Sequence, residues 1–295
     1  MRQILRRIVV ATLLMVAAAP ALSEERKPGP LGPSSGPYRE QEFFIAWDRA
    51  DRTWLSHAKI FRPQTDEPRP LVLIAHGSPR DAQDRLRRSP TWADRQARWF
   101  AAQGFVVAVP LRRGYGKSDG PVQEGYGECE KPNFHSAGLS SANDIQGVLG
   151  HMVREPYVDS RRMVLVGHSA GGWAALAAAA RNVPGVVGIV NFAGGRGSLA
   201  VGQNCAPDRL VESAGRYGAT ARIPTLWIYA ENDTYIGPNL SRRMFEAFQG
   251  AGGSAEYHLL RPFGKDGHAL FAASTGLALW MPIVTDFLRT QKLMQ

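Results

Sequence analysis

Along most of the chain, apolar residues come in short unbroken runs of strand length, separated by longer stretches with helical spacing. "PLVLIAHG" (70–77), "FVVAVP" (105–110), "RRMVLVGH" (161–168), "VVGIVNFAGG" (186–195), "PTLWIYAEND" (224–233) and "AEYHLLRPFG" (255–264) are the central runs. Before them, "EFFIAW" (42–47) and "HAKIFRP" (57–63) read as early antiparallel strands. Runs that are apolar at every position, rather than at every second one, belong to strands buried on both faces. The intervening stretches predict helices at 91–104, 142–154, after Gly171, and after each of the last two strands. Alternation of strand and helix predicts an α/β protein with a mostly parallel, doubly wound sheet and helices on both faces.

Two segments fall outside that pattern. Residues 1–23 read "MRQILRRIVVATLLMVAAAPALS": three arginines, an apolar stretch, then small residues. This is the form of a secretory signal peptide, and its apolar stretch is short for a span of about 20 residues. Residues 24–37, "EERKPGPLGPSSGP", predict a flexible Pro/Gly-rich leader. From residue 38 to 295 the pattern predicts one domain, with 196–221 as a small cap insertion whose helix runs over 207–217.

Cleavage would remove three arginines and no acid, taking the net charge from +9 to +6. The remaining cations are scattered rather than gathered in a basic stripe with aromatics, so no nucleic-acid partner is expected. No stable membrane insertion is expected after processing. The only cysteines, Cys129 and Cys205, predict a disulfide in an oxidising compartment. Both lie in excursions from the same edge of the sheet, so the bond would tie the glycine-rich segment 124–133 to the cap. Two cysteines alone do not make a zinc site. There is no P-loop and no dinucleotide fingerprint, so neither a cofactor nor a metal is expected.

The candidate chemistry begins at Gly167-His168-Ser169-Ala170-Gly171, where a strand gives way directly to a helix. That is a Gly-x-Ser-x-Gly elbow, a sharp turn presenting a serine nucleophile, with glycines where side chains would collide. A serine hydroxyl needs a base to take its proton and an acid to orient that base. In this strand-and-helix arrangement the order is nucleophile, acid, histidine. His258 lies within the strand pattern, whereas His268 follows the last strand in a glycine-flanked loop, so His268 is the expected base. The acid follows "PTLWIYA": Asp233 is the first candidate, with Glu231 and Asp266 as alternatives. Backbone N–H groups of Ala170 and of Ser78, after His76-Gly77, are placed for an oxyanion hole. His76 is expected to pin that loop rather than act as a base.

The motifs "LIAHGSP", "PLRRGYGKSDG", "VGHSAGG", "IYAENDTYIGP" and "GKDGHALF" occur in this order from about Asp51 onward. In these the chain resembles α/β-hydrolases of the dienelactone-hydrolase and prolyl-oligopeptidase-like group. The resemblance implies the α/β-hydrolase fold and an acyl-enzyme mechanism on a small-molecule ester, with a peptidase or amidase as the alternative. A non-catalytic binding member of the fold is the alternative from a different class. Dienelactone hydrolases have a cysteine nucleophile where this chain has Ser169, so their lactone substrate is not implied. Tyr115, Trp173, Arg196 and Tyr235 are candidate substrate-binding residues at the same sheet edge. Arg112, Arg113 and Arg196 lie in loops expected to approach the mouth, which raises an anionic substrate group.

Overall fold

A computed structural model describes residues 26–294; the expected signal peptide lies outside the described residues. Eleven strands form in chain order: β1 (Gly29–Ser35), β2 (Glu40–Arg49), β3 (Arg52–Phe61), β4 (Arg69–Ala75), β5 (Val106–Pro110), β6 (Val158–His168), β7 (Val186–Phe192), β8 (Ser198–Ala200), β9 (Gln203–Asn204), β10 (Thr225–Ala230) and β11 (Ala255–Leu260). The helices are α1 (Asp94–Ala102), α2 (Phe134–Met152), α3 (Ala170–Ala179), α4 (Pro207–Gly218), α5 (Pro238–Gly250) and α6 (Leu277–Thr290).

Nine strands make one sheet in the order β1-β2-β3-β5-β4-β6-β7-β10-β11. The pairs from β1 to β5 are antiparallel, and from β5 through β4 to β11 every pair is parallel. The chain therefore has the α/β-hydrolase fold, as its motifs implied.

The unbroken apolar runs have a simple cause. In β4, Leu71, Leu73 and Ala75 enter one core and Val72 and Ile74 enter the other. The first core is covered by α2, α3, α4 and α5, and the second by α1 and α6. Successive side chains point to opposite faces, and with both faces covered every position is apolar.

Two expectations need correction. The described part of the expected flexible leader 24–37, from residue 26 on, does not stand apart from the sheet: β1 pairs with β2 in the register Gly29↔Phe44 to Ser35↔Glu40. Proline is tolerated on an edge strand, where one row of N–H groups needs no partner. The strand is almost wholly exposed, which is why nothing apolar announces it. The helix expected over 142–154 starts earlier, at Phe134, with the Asn133 side chain accepting from the Ser136 N–H. Its first turns contain Gly138, where a side chain would collide with Tyr217 and Trp173. Close packing against α3 and α4, rather than helix propensity, selects those small residues.

After β7 the chain makes the β8–β9 hairpin and then α4, which packs on α5 and α2. Cys129 and Cys205 form a disulfide with Cα atoms 5.2 Å apart, joining the segment before α2 to the end of that hairpin. Among the described residues no helix is long and apolar enough to cross a membrane.

Candidate active site

The site lies beyond the carboxyl ends of the parallel strands, where ligands bind in open α/β sheets. Ser169 sits between β6 and α3 with φ +56° and ψ −123°, a conformation that L residues rarely adopt. Such strain costs on the order of 1–3 kcal/mol and persists only where surroundings enforce it. Here the Ser169 N–H donates to the Phe192 carbonyl (2.9 Å), while its own carbonyl accepts from Trp173 (3.0 Å). A side chain at Gly167 would strike the Gly171 carbonyl, and one at Gly171 would strike that of Ala75. The two glycines are thus required by the turn. Ser169 is buried, yet it lines a cavity of about 410 Å³ together with Ser78, Ala170, Arg196 and Tyr235.

His268 sits in a short 3-10 turn after β11. Its Nδ1 contacts both Asp233 oxygens, at 3.0 and 3.1 Å. Asp233 is buried, and its Oδ1 also accepts from the Tyr235 and Ile236 N–H groups (2.8 and 2.9 Å). These bonds fix the carboxylate before it meets the imidazole. Asp266, the alternative acid, does another task. It accepts from the His268 N–H (2.9 Å) and from the Thr234 N–H and hydroxyl (3.0 and 2.6 Å). Burial pushes its pKa up, but these bonds outweigh burial and hold it below the usual carboxylate range. Asp266 thereby clips the histidine loop to the acid loop. Glu231 is exposed.

His168, beside the nucleophile, is enclosed by Trp92, Phe271 and the His268 ring. Its Nε2–H donates to the His268 carbonyl (2.8 Å). Burial, reinforced by His268, pushes its pKa down to about 3, so it is a neutral brace for the histidine loop. Ser169 makes no hydrogen bond to His268 in this structure. Such bonds are often long without substrate and tighten in the reacting complex.

Ala170 opens α3, so its N–H has no intrahelical acceptor. Ser78 lies on the facing loop, and none of that loop's hydrogen bonds uses its N–H. A buried network holds this loop. His76 Nδ1–H donates to the Gly77 carbonyl (2.7 Å), and its Nε2 accepts from the Arg112 N–H (3.1 Å). Burial, then Arg112, keeps His76 well below its ordinary pKa and hence neutral. Arg112 reaches the His76 carbonyl (2.6 Å) and grips Glu124 through Nε and Nη2 (2.5 and 3.2 Å). Tyr115 donates to Glu124 (2.6 Å), so its single hydroxyl proton is used and the Ser78 hydroxyl must be the donor in their 2.7 Å contact.

Several expected residues do not face the cavity. Trp173 is fully buried in α3, donating to the Phe134 carbonyl (2.9 Å), and acts as core. Tyr115 is also fully buried and reaches the site only through Ser78. Arg112 and Arg113 are spent on buried carboxylates, Glu124 and Asp144. Only Arg196 of the three expected arginines lines the cavity. Sequence reading missed Arg80, Arg85 and Glu124, which also line it. Arg80 was within reach, since it follows Ser78 by two residues in a loop already assigned to the site.

The model of the X-Pro dipeptidyl-peptidase (S15 family) matches residues 55–222, more than half of the 295-residue chain. The chain belongs to this family. The match contains Ser78, Ala170 and Ser169 and stops short of Asp233 and His268. No curated protein matches the chain. Among solved structures, the acetyl xylan esterase from Paenibacillus sp. R4 is similar, with a TM-score of 0.61 and 14% identity over 90% of this chain and 88% of that one. Thermogutta terrifontis esterase 2, phosphorylated by paraoxon, gives 0.59 and 16% over 86% and 95%. Porphyromonas gingivalis dipeptidyl peptidase 4 gives 0.59 and 16% over 85% of this chain but 36% of its own length. At these identities the likeness shows the fold, and esterases and peptidases alike possess it.

Proposed function

We propose that this S15-family chain is an exported serine hydrolase that cleaves carboxylic esters. The observation that carries the reading is the His268–Asp233 pair, stacked through His268 on Tyr235, which lines the same cavity as a strained, buried Ser169. In the reaction Ser169 Oγ attacks the ester carbonyl carbon while His268 Nε2 takes the hydroxyl proton. Asp233 stabilises the resulting imidazolium, and the Ser78 and Ala170 N–H groups receive the oxyanion. Collapse breaks the bond to the alcohol, which leaves with the proton from His268. Water, deprotonated by the same imidazole, then releases the acid from Ser169.

The family match favours a second reading, removal of X-Pro dipeptides. A carboxylate is the strongest partner for that substrate's ammonium terminus. Among the described residues lining the cavity, Glu124 is the only carboxylate. It is already engaged by Arg112, Arg196, Tyr115 and Ser141. This engagement supports ester over dipeptide cleavage. The Cys129–Cys205 disulfide and the form of residues 1–23 support export.

A panel of p-nitrophenyl esters and X-Pro p-nitroanilides, assayed with one preparation, tests the choice. Ester turnover with no anilide turnover is expected. Ser169→Ala should abolish turnover and fluorophosphonate labelling; labelling that persists in this variant would remove Ser169 from the mechanism.

A further inference from the structure

We propose that the cavity before Ser169 selects substrates bearing a carboxylate, held by the guanidiniums of Arg80 and Arg85 with Arg196 alongside. This substrate class rests on the hydrolase reading, and both are separable by experiment. Three guanidiniums and one carboxylate line the cavity among the described residues. Glu124, that carboxylate, is already shared by Arg196 (3.1 Å) and Arg112 (2.5 Å). The local balance is therefore cationic, and neither Arg80 nor Arg85 has an acidic partner among the described residues. The acids nearest in sequence are occupied elsewhere: Asp81 caps the following 3-10 turn and Asp84 pairs with Arg87.

A solvated surface arginine would explain nothing, but these are not free in that sense. Arg80 lies over the Tyr235 ring with Cζ 3.6 Å from its centroid, and Nη2 bonds Ser198 Oγ (2.7 Å) and the Thr234 carbonyl (3.5 Å). Among the described residues its Nε and Nη1 hydrogens have no acceptor. The His268 ring stacks on the same tyrosine at 4.0 Å and 14°. Two groups this close to one centroid must occupy opposite faces, so Arg80 is held one ring away from the candidate base. Arg85 Nε and Arg196 Nε are both buried without a hydrogen-bond partner. Arg88, three residues after Arg85, also lacks an acidic partner among the described residues. Burial and the charge of Arg112 push its pKa down to about 10. A region that already strains to hold its cations gains most from an incoming anion. A guanidinium's planar fork matches a carboxylate in two parallel N–H···O bonds. The cavity volume, about 410 Å³, suits a small acyl chain ending in that group.

The test compares p-nitrophenyl hydrogen glutarate with its neutral methyl ester, p-nitrophenyl methyl glutarate, near pH 7.5. The ratio of kcat/KM values should favour the acid by roughly ten-fold or more, as one or two charge-assisted bonds allow, and should shrink with added salt. Arg80→Ala/Arg85→Ala should bring the ratio to about one, while Arg80→Lys/Arg85→Lys, keeping charge but not the fork, should fall between. Arg87→Ala, outside the cavity, should leave the ratio unchanged. Equal turnover of the two esters by the wild type, or an unchanged ratio in the double alanine variant, would overturn the inference while the ester reading stands. If no ester is turned over, glutarate titrated by calorimetry reads the arginines directly. Binding to wild type but not to the double variant supports the site, and binding to neither overturns it.

Discussion

Replacing Glu124 by glutamine removes one charge from the point where the loop carrying Ser78, the cavity wall and α2 meet. The carboxylate takes Arg112 through both oxygens, Arg196 through Oε1, and the hydroxyls of Tyr115 and Ser141. Arg112 is 3% exposed and does not line the cavity, so its guanidinium cannot turn to water when the charge goes. Breaking a buried pair from one side costs about 3–5 kcal/mol, because the remaining charge stays desolvated. For a chain of this size each kcal/mol moves the midpoint by roughly 2–4 °C, so a fall on the order of 10 °C is expected. The pH dependence has a definite sign. Burial would raise the Glu124 pKa, but Arg112 and Arg196 reverse that and hold it well below 4.5. A depressed carboxylate contributes stability that is present above its unfolded pKa and lost as pH falls toward the folded one. Thermal unfolding of wild type and Glu124→Gln between pH 8 and 3 is the assay. The gap should be largest at neutral pH and narrow below about 4.5, near the unfolded carboxylate value. A gap of less than about 1 kcal/mol at pH 7, or one that does not narrow in acid, would refute this account.

Two further outcomes follow from the same geometry. Asp233→Asn should lower kcat by on the order of 10⁴ with the fold kept, and Asp266→Asn, which loosens a loop clip, should cost less; the reverse order of damage in steady-state rates would exchange their roles. Reducing the disulfide, whose partners are 76 residues apart, should remove about 4 kcal/mol in the chain-entropy model and lower the thermal midpoint, leaving Ser169 labelling intact; an unchanged midpoint after reduction verified by alkylation would refute that estimate.

The sequence by itself determined the parallel sheet, because a strand covered on both faces must be apolar along its buried stretch, as residues 71–75 of β4, 163–166 of β6 and 186–190 of β7 are. It also determined where the serine turn would fall, since only glycine fits at Gly167 and Gly171. The order of motifs then left few residues for the acid and the histidine. What the pattern could not hold were the features made by partners distant in the chain. β1 has no apolar signature because its stability comes from pairing with β2 at an exposed edge. The first turns of α2 read as loop because Gly138 answers to Tyr217 and Trp173 rather than to helix propensity. Among the charged residues the tertiary structure decided nearly everything. An arginine looks the same in sequence whether it is buried on Glu124, as Arg112 is, or left facing the cavity, as Arg80 and Arg85 are. Apolar burial is local and periodic, so it is written along the chain; a charge takes its meaning from the partner that folding brings to it.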